Sequence, residues 1–441
     1  MTEIRVGLLG LGTIGVGAAR ILIEQCELIT RRLGKKVRLV RACDLDVSRD
    51  RGLDFSGVEL TTDVNAVIKA DDIDVVIELI GGYEPARSFV RTALEQGKHV
   101  VTANKALIAK HGEELFPIAA EKGLQIGFEA AVGGGIPCMK ALREGLAANA
   151  ILSIYGILNG TCNYILTKME DEGLSFDEVL KQAQELGYAE ADPTFDIEGI
   201  DTAHKLSILA AMAFGSTIKF DEVYTEGISK ITPADIASAR ELGYRIKLLG
   251  IAKPQQGADG DMVEMRVHPT LVPVTAQLAQ VSDSYNAVQI TGDFVEQTMF
   301  FGRGAGERPT ASAVIADVMD IASGFPHGIA HLAPPMGFVQ SARRAIPTQA
   351  MADAECEYYL RLMVKDEPGV IAAVTSILAD HRISLEAVLQ KERHASHDVP
   401  IIMMTHGTTE GNMQAAISRI TALDAVDDQN VLVLRKEEFG A

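Results

Sequence analysis

The sequence predicts an α/β protein with three parts: an N-terminal Rossmann-type dinucleotide-binding domain, an α+β middle domain, and a C-terminal ferredoxin-like domain. Three observations carry this expectation. A Gly-x-Gly-x-x-Gly run follows the first apolar stretch, a dense acidic segment between Ala183 and Lys205 leads into an apolar helix, and a β-α-β-β-α-β order begins at Cys356. The expected boundaries are 1–135, 136–330, a linker over 331–354, and 355–441. The helix near 310–322 is expected to pack back on the first domain.

The chain has 441 residues, enough for two or three domains, and 47% apolar content supplies ordinary cores. A net charge of −19 without a basic cluster argues against nucleic acid and anionic membrane surfaces. No signal or transit segment and no apolar run of membrane-spanning length is visible. The five cysteines show no Cys-x-x-Cys spacing. Reduced thiols in a cytoplasm are therefore expected.

Ile4–Leu9 reads as the first strand and ends in Gly10-Leu11-Gly12-Thr13-Ile14-Gly15. Gly10 permits the tight turn, Gly12 lets a pyrophosphate reach the backbone, and Gly15 lets helix and strand pack closely. The phosphates then meet unpaired N–H groups at a helix N-terminus. One helix is expected from there to about Leu33. The second strand, Val37–Cys43, ends at Asp44, which would accept bonds from an adenosine ribose or merely close the strand. Arg41 and Arg49 are nearby candidates for a 2′-phosphate, so NAD and NADP both remain open. The strand from Asp74 ends in Ile80-Gly81-Gly82, and the strand Lys98–Thr102 ends in Ala103-Asn104-Lys105. Carboxyl ends of parallel strands face the ligand crevice, so Ile80, Gly81, Thr102 and Lys105 are cofactor-side candidates, although Lys105 reads equally as a solvated lysine at a helix start. Leu124–Ala130 is expected to close the sheet.

In the middle domain, Glu129 to Pro137 joins a strand to a helix through three glycines. Exposed carbonyls plus one carboxylate suit a hard cation, although a plain turn explains the residues too. Ile151–Leu158 reads as a strand running into Asn159-Gly160-Thr161-Cys162-Asn163, whose short polar side chains suit a small polar substrate or a nicotinamide amide. Cys162 has no histidine close in sequence and is a poor candidate nucleophile. Gly187 and Pro193 interrupt helix, which places Glu190 and Asp192 on a loop. Asp201 and Lys205 are one helical turn apart on a helix with almost no polar face, which favours a partly buried functional pair over a surface ion pair. Strands at 246–253, 262–269, 288–292 and 295–301 suggest a mixed sheet. Gly302, Gly304 and Gly306 then precede a helix at 310–321, either as a wall of the cofactor cleft or as a simple bend.

These residues together resemble the homoserine dehydrogenase family. The run Ala183, Gly187-Tyr188-Ala189, Asp192-Pro193, Asp196-Ile197, Gly199, Asp201 and Lys205 carries the resemblance, with Asn159-Gly160-Thr161 and Ala103-Asn104-Lys105. It covers residues 1 to about 330. The tail from Asp366-x-Pro-Gly369 resembles an ACT module, which implies an amino-acid effector, threonine in many members of the family. The resemblance implies reversible reduction of aspartate 4-semialdehyde to homoserine by NADP or NAD in its reduced form, in threonine, methionine and isoleucine biosynthesis. It implies Lys205 as acid/base, Lys105 beside it at the same oxygen, and Asp201 as the orienting group. Glu190 would bind the substrate amine, with Gly160, Thr161, Tyr188 and Asp196 lining the substrate and Gly302 the cofactor. It further implies a sodium ion held by Glu129 and the carbonyls of Val132, Gly134 and Ile136, and assembly as a homodimer or homotetramer. Two rivals are an aspartate-semialdehyde dehydrogenase, which needs an activated cysteine, and a non-catalytic amino-acid sensor, which would lack Lys105, Asp201 or Lys205.

Overall fold

The computed structural model describes residues 3–258, 260–324, 333–390 and 398–439. The chain divides into two units, each made of three separate segments. The first holds residues 1–160, 203–223 and 285–346; the second holds 161–202, 224–284 and 347–441.

The first unit is organised by a six-stranded parallel sheet: β1 (Glu3–Leu9), β2 (Lys36–Cys43), β3 (Glu59–Thr61), β4 (Val75–Glu78), β5 (His99–Thr102) and β6 (Ile126–Gly127). Their order is β3-β2-β1-β4-β5-β6, so the direction of winding reverses between β1 and β4. All four residues of β4 are buried, as expected for a parallel strand covered on both faces. The helix Glu307–Gly324 packs against Thr13–Glu24 and shares the apolar core of β1. A Cβ on Gly17 would lie 3.1 Å from the Ala311 Cβ, so a side chain there would push the two helices apart by a few tenths of an ångström. Lys35 Nζ caps the far end by donating to the carbonyls of Ala322 and Ser323 at 2.9 and 3.0 Å, where a cation meets the negative end of the helix dipole. A second, antiparallel sheet in this unit pairs Tyr285–Gly292 with both Ile151–Ile157 and Glu296–Arg303.

Two expectations for this unit need correction. The long first helix is two, Thr13–Glu24 and Cys26–Leu33, separated at Gln25, a residue with no helix-breaking character. The strand expected over Leu124–Ala130 is only Ile126–Gly127, because Glu129–Ala131 turns as a 3₁₀ helix.

The second unit is built on a sheet whose neighbours run Tyr244–Gly257, Gly260–Pro273, Val426–Lys436, Glu355–Lys365, Asp398–Thr405 and Leu385–Gln390. The last four are the C-terminal module. With the helices Val370–Asp380 and Glu410–Ile420 they give the β-α-β-β-α-β order read from the sequence. The module's final strand lies beside the middle-domain hairpin through a short parallel pairing of Thr270 with Arg435 and Leu271 with Lys436. The stretch read as a linker is pinned where it is described: Arg344 bridges to Ser216 and Thr348 to Val263. Residues 325–332 lie outside the described residues. Among the described residues, no helix is long and apolar enough to cross a membrane.

Candidate active site

The glycine turn fits the steric reading of each position. Gly10 has φ +94°, and a Cβ there would sit 2.7 Å from the Leu79 carbonyl oxygen. A Cβ on Gly15 would sit 1.9 Å from the Gly10 carbonyl, whereas one on Gly12 would meet nothing within 4 Å. The first and third glycines are therefore demanded by the protein itself. The second faces open space, as an approach path for phosphate requires. Thr13 opens the helix that follows, with Ile14 packed against the core.

Asp44 lies where the sequence placed it, and its Oδ2 accepts from Leu11 N at 2.6 Å. The carboxylate thus holds the turn as well as marking the end of β2. Of the two arginines read as 2′-phosphate partners, Arg41 is committed elsewhere: it donates to Glu59 at 2.8 Å and to the Ala66 carbonyl at 2.6 Å. The sequence reading missed Arg51. Its side chain is 5% exposed and lies 3.3 Å from Asp44, and it donates to the carbonyls of Leu11, Arg49 and Asp46. No local pattern marks it, because its partners are brought to it by the turn.

At the ends of β4 and β5, Ile80, Gly81 and Thr102 are tied together by Glu78. Lys105 opens the next helix, whose cap is Asn104, accepting from Leu107 N at 3.0 Å. Tyr83 OH lies 3.3 Å from His204 Nε2, and the His204 ring stacks on Phe220 with centroids 3.8 Å apart. His204 is buried beside Lys205 in sequence and was not singled out there.

The helix Ile200–Phe214 carries both Asp201 and Lys205, and both are buried. Lys205 Nζ donates to the Leu158 carbonyl at 2.6 Å, which holds the amine at the end of the strand that leads into Asn159-Gly160. In the second unit, Thr161 donates to the Tyr188 carbonyl at 2.7 Å, and the Tyr188 ring packs on Tyr164 at 5.0 Å. The Cys162 thiol donates to the Asp196 carbonyl at 3.1 Å. Glu190 is exposed on the loop, whose backbone is held by Gln184 Nε2 at the Glu190 and Ala191 carbonyls. Asp192 shapes the loop: it accepts from Thr194 N at 3.1 Å, and the bonds from Thr194 hold its carboxyl below the ordinary value.

The Glu129 junction is unusual electrostatically. Glu129 is buried; its Oε1 accepts from Met139 N at 3.1 Å, while Oε2 has no hydrogen-bond partner among the described residues. Burial, and then the nearby Asp317 charge, push its carboxyl up to about 8. Asp317, which accepts from Glu129 N at 2.9 Å, is raised to about 7, chiefly by burial. Gly133 and Gly134 take positive φ, turning the backbone here. Gly134 lies so close to Gly304 that a Cβ would be 2.5 Å from its carbonyl oxygen. Gly302 stands against Ile136, so the second glycine cluster lies on this junction. Among the described residues, no group of three or more His, Cys, Asp or Glu side chains could hold a metal. A cation at this junction would therefore depend on backbone oxygens plus one carboxylate. An orphaned buried carboxylate oxygen beside a glycine turn fits that donor chemistry.

A 3-2-1-4-5-6 parallel sheet, a glycine turn at its switch point and lysines near the strand ends define a nicotinamide-nucleotide-dependent oxidoreductase. Family models described as "Homoserine dehydrogenase, NAD binding domain", "Homoserine dehydrogenase" and "ACT domain" match residues 10–129, 137–319 and 358–425. The chain belongs to the homoserine dehydrogenase family, enzymes that act on a CH–OH group. It is 46% identical over 439 residues to homoserine dehydrogenase of Neisseria gonorrhoeae, covering 100% of both chains. A crystal structure of a homoserine dehydrogenase from Thiobacillus denitrificans matches with a TM-score of 0.93 at 50% identity, covering 100% of this chain and 99% of that one. A hyperthermophilic archaeal homoserine dehydrogenase in complex with NADPH matches with a TM-score of 0.62 at 26% identity, covering 74% of this chain and 99% of that one.

Proposed function

We propose that the protein interconverts L-aspartate 4-semialdehyde and L-homoserine with NADP or NAD, within threonine, methionine and isoleucine biosynthesis. The observation that carries this reading is the buried helix holding Asp201 and Lys205, with the lysine amine fixed on the Leu158 carbonyl just before Asn159-Gly160-Thr161. When bound, the reduced nicotinamide supplies the hydride that reaches the aldehyde carbon. Charge then develops on the carbonyl oxygen, and a positioned Lys205 ammonium stabilises it and delivers the proton. Lys105 acts on the same oxygen, and Asp201 orients the lysine and the substrate. Glu190 takes the substrate amine, with Gly160, Thr161, Tyr188 and Asp196 lining the substrate. Gly10 to Gly15, Asp44, Ile80, Gly81, Thr102 and Gly302 face the nucleotide. A monovalent cation, sodium by the family resemblance, would be held by Glu129 and the carbonyls of Val132, Gly134 and Ile136. It would supply a positive charge to the orphaned carboxylate oxygen.

Lys205→Ala should lower kcat by roughly 10²–10⁴-fold while NAD(P)H binding, read by fluorescence, stays unchanged. Turnover near that of the parent would sink the assignment.

We further propose that threonine binds the ACT module, at the turn formed by Asp366 to Gly369, and inhibits the enzyme. Gly369 has φ +98° at the start of the helix Val370–Asp380. Removing the whole module would be a poor test, because its last strand completes the sheet of the second unit. Gly369→Ala in the full chain is cleaner, provided its urea unfolding matches the parent's: threonine inhibition should be lost with kcat retained. Unchanged inhibition in that variant would place the effector elsewhere.

A further inference from the structure

The parallel sheet contains a buried carboxylate that the proposed chemistry does not use. Glu78 is the last residue of β4 and is fully buried. Its Oε1 accepts from the backbone N–H groups of Ile80 and Gly81 at 2.8 and 3.1 Å. Its Oε2 accepts from the Thr102 hydroxyl, at the end of β5, at 2.7 Å. Thr102 Oγ1 in turn accepts from Asn104 N at 2.9 Å. The Asn104 amide donates to the Gly82 carbonyl at 2.7 Å, while its oxygen caps the helix that begins at Lys105. These bonds close a ring through the loop after β4 and the loop after β5. Gly81 and Gly82 both take positive φ, so the first loop follows a path that side-chain-bearing residues would resist.

We infer that Glu78 is a positioning residue for the hydride transfer: it locks the cofactor-side loop Ile80–Gly82 and the start of the Lys105 helix into one rigid piece. The inference rests on the proposed roles of those loops and adds the group that sets their spacing. A carboxylate is suited to the task because both of its oxygens only accept. One takes two backbone donors and the other a hydroxyl whose own lone pair is already used by Asn104 N. A glutamine must point its NH₂ at one of these donors, so at least one bond of the ring is lost. Misplacement of about 1 Å near reacting groups can cost about a hundredfold in rate, whereas burial of Glu78 for packing alone would show only in stability.

The test is Glu78→Gln in the full-length protein, with kinetics normalised to folded protein. The expected result is a rise in KM for NAD(P)H and a fall in kcat, together roughly tenfold to a hundredfold in kcat/KM, with KM for homoserine unchanged. Thr102→Val, which keeps shape and removes the hydroxyl, should show the same pattern, and Thr102→Ser should restore activity. If Glu78→Gln does not fold, the Thr102 pair decides alone. Parent-like kinetics in a folded Glu78→Gln, or no difference between Thr102→Val and Thr102→Ser, would overturn the inference. Should Lys205→Ala remain impaired in the same assays, that failure would belong to Glu78 and not to the assignment of the site.

Discussion

Two buried clusters of charge treat the same problem in opposite ways. At the Glu129 junction of the first unit, burial raises two neighbouring carboxyls, and one buried oxygen finds no donor among the described residues. In the second unit, the module's last strand meets the middle-domain hairpin through charges that are all answered. Arg435 donates twice to Glu410, at 2.6 and 2.8 Å, and once to Glu226 at 2.7 Å. Arg266 joins Glu264 and Glu437. Burial alone would raise the carboxyls of Glu410 and Glu437, yet Arg435 at the first, and Arg266 with Lys253 at the second, leave both below their ordinary values. Burial and the two neighbouring arginines drive His268 far below its usual value. It is therefore neutral, with Nε2 accepting from Arg266 at 2.6 Å. A buried charge that the protein neutralises itself is a fastening, whereas the Glu129 oxygen has no donor among the described residues.

The fastening in the second unit depends most on Arg435. Replacing it by methionine strands Glu410 and Glu226, which should cost about 3–5 kcal/mol of stability; a loss below about 1 kcal/mol in urea unfolding would show the network to be weakly coupled. Lys247 offers an intermediate case, a buried cation held by Asn163 at 3.2 Å and the Val281 carbonyl at 2.7 Å. Burial lowers it to about 8, opposed by Glu170, Asp171 and Asp283 and assisted by Arg245. Between about pH 8 and its ordinary value of 10.5 the unfolded chain holds a proton that the folded one has released. The contribution of Lys247 to stability, read as the difference between the parent and Lys247→Met, should therefore rise with pH across that window, by about 3 kcal/mol in total, and stay flat below it. Lys247→Met should lack that rise; identical pH profiles would show that Lys247 keeps its proton in the folded protein as in the unfolded one. The smallest expected effect sharpens the first cluster. Sodium in place of choline, at constant ionic strength, should stabilise the parent by about 2–3 kcal/mol at a hundredfold excess over Kd. Glu129→Gln should abolish the difference, and an equal gain in both would deny the cation its proposed seat.

Much of this was legible in the sequence where the cause is local. Gly15 is forced by the Gly10 carbonyl within the same turn, and the unbroken burial from Asp201 to Ala213 follows the run Leu206–Phe214, in which Ser207 is the one polar residue. The β-α-β-β-α-β order of the tail is written in its periodicity. What escaped depends on partners distant in the chain. Glu78 reads as one more strand residue until Thr102, on the next strand, is brought to it. Arg435 has no meaning until Glu226 lies beside it. The break at Gln25 escaped because neither glycine nor proline marks it.

The pairing of Thr270 with Arg435 has a consequence for how the molecule is made. The hairpin Tyr244–Gly257 and Gly260–Pro273 closes locally and early, whereas its next neighbour lies far downstream in the chain. Closing so long a loop costs entropy before any contact is gained, and nonlocal pairings of this kind fold slowly. Until the strand Val426–Lys436 arrives, the hairpin presents an open edge, the surface on which unfinished chains stick to one another. Refolding yield should therefore depend on protein concentration, and the second unit, not the parallel sheet of the first, should set that dependence.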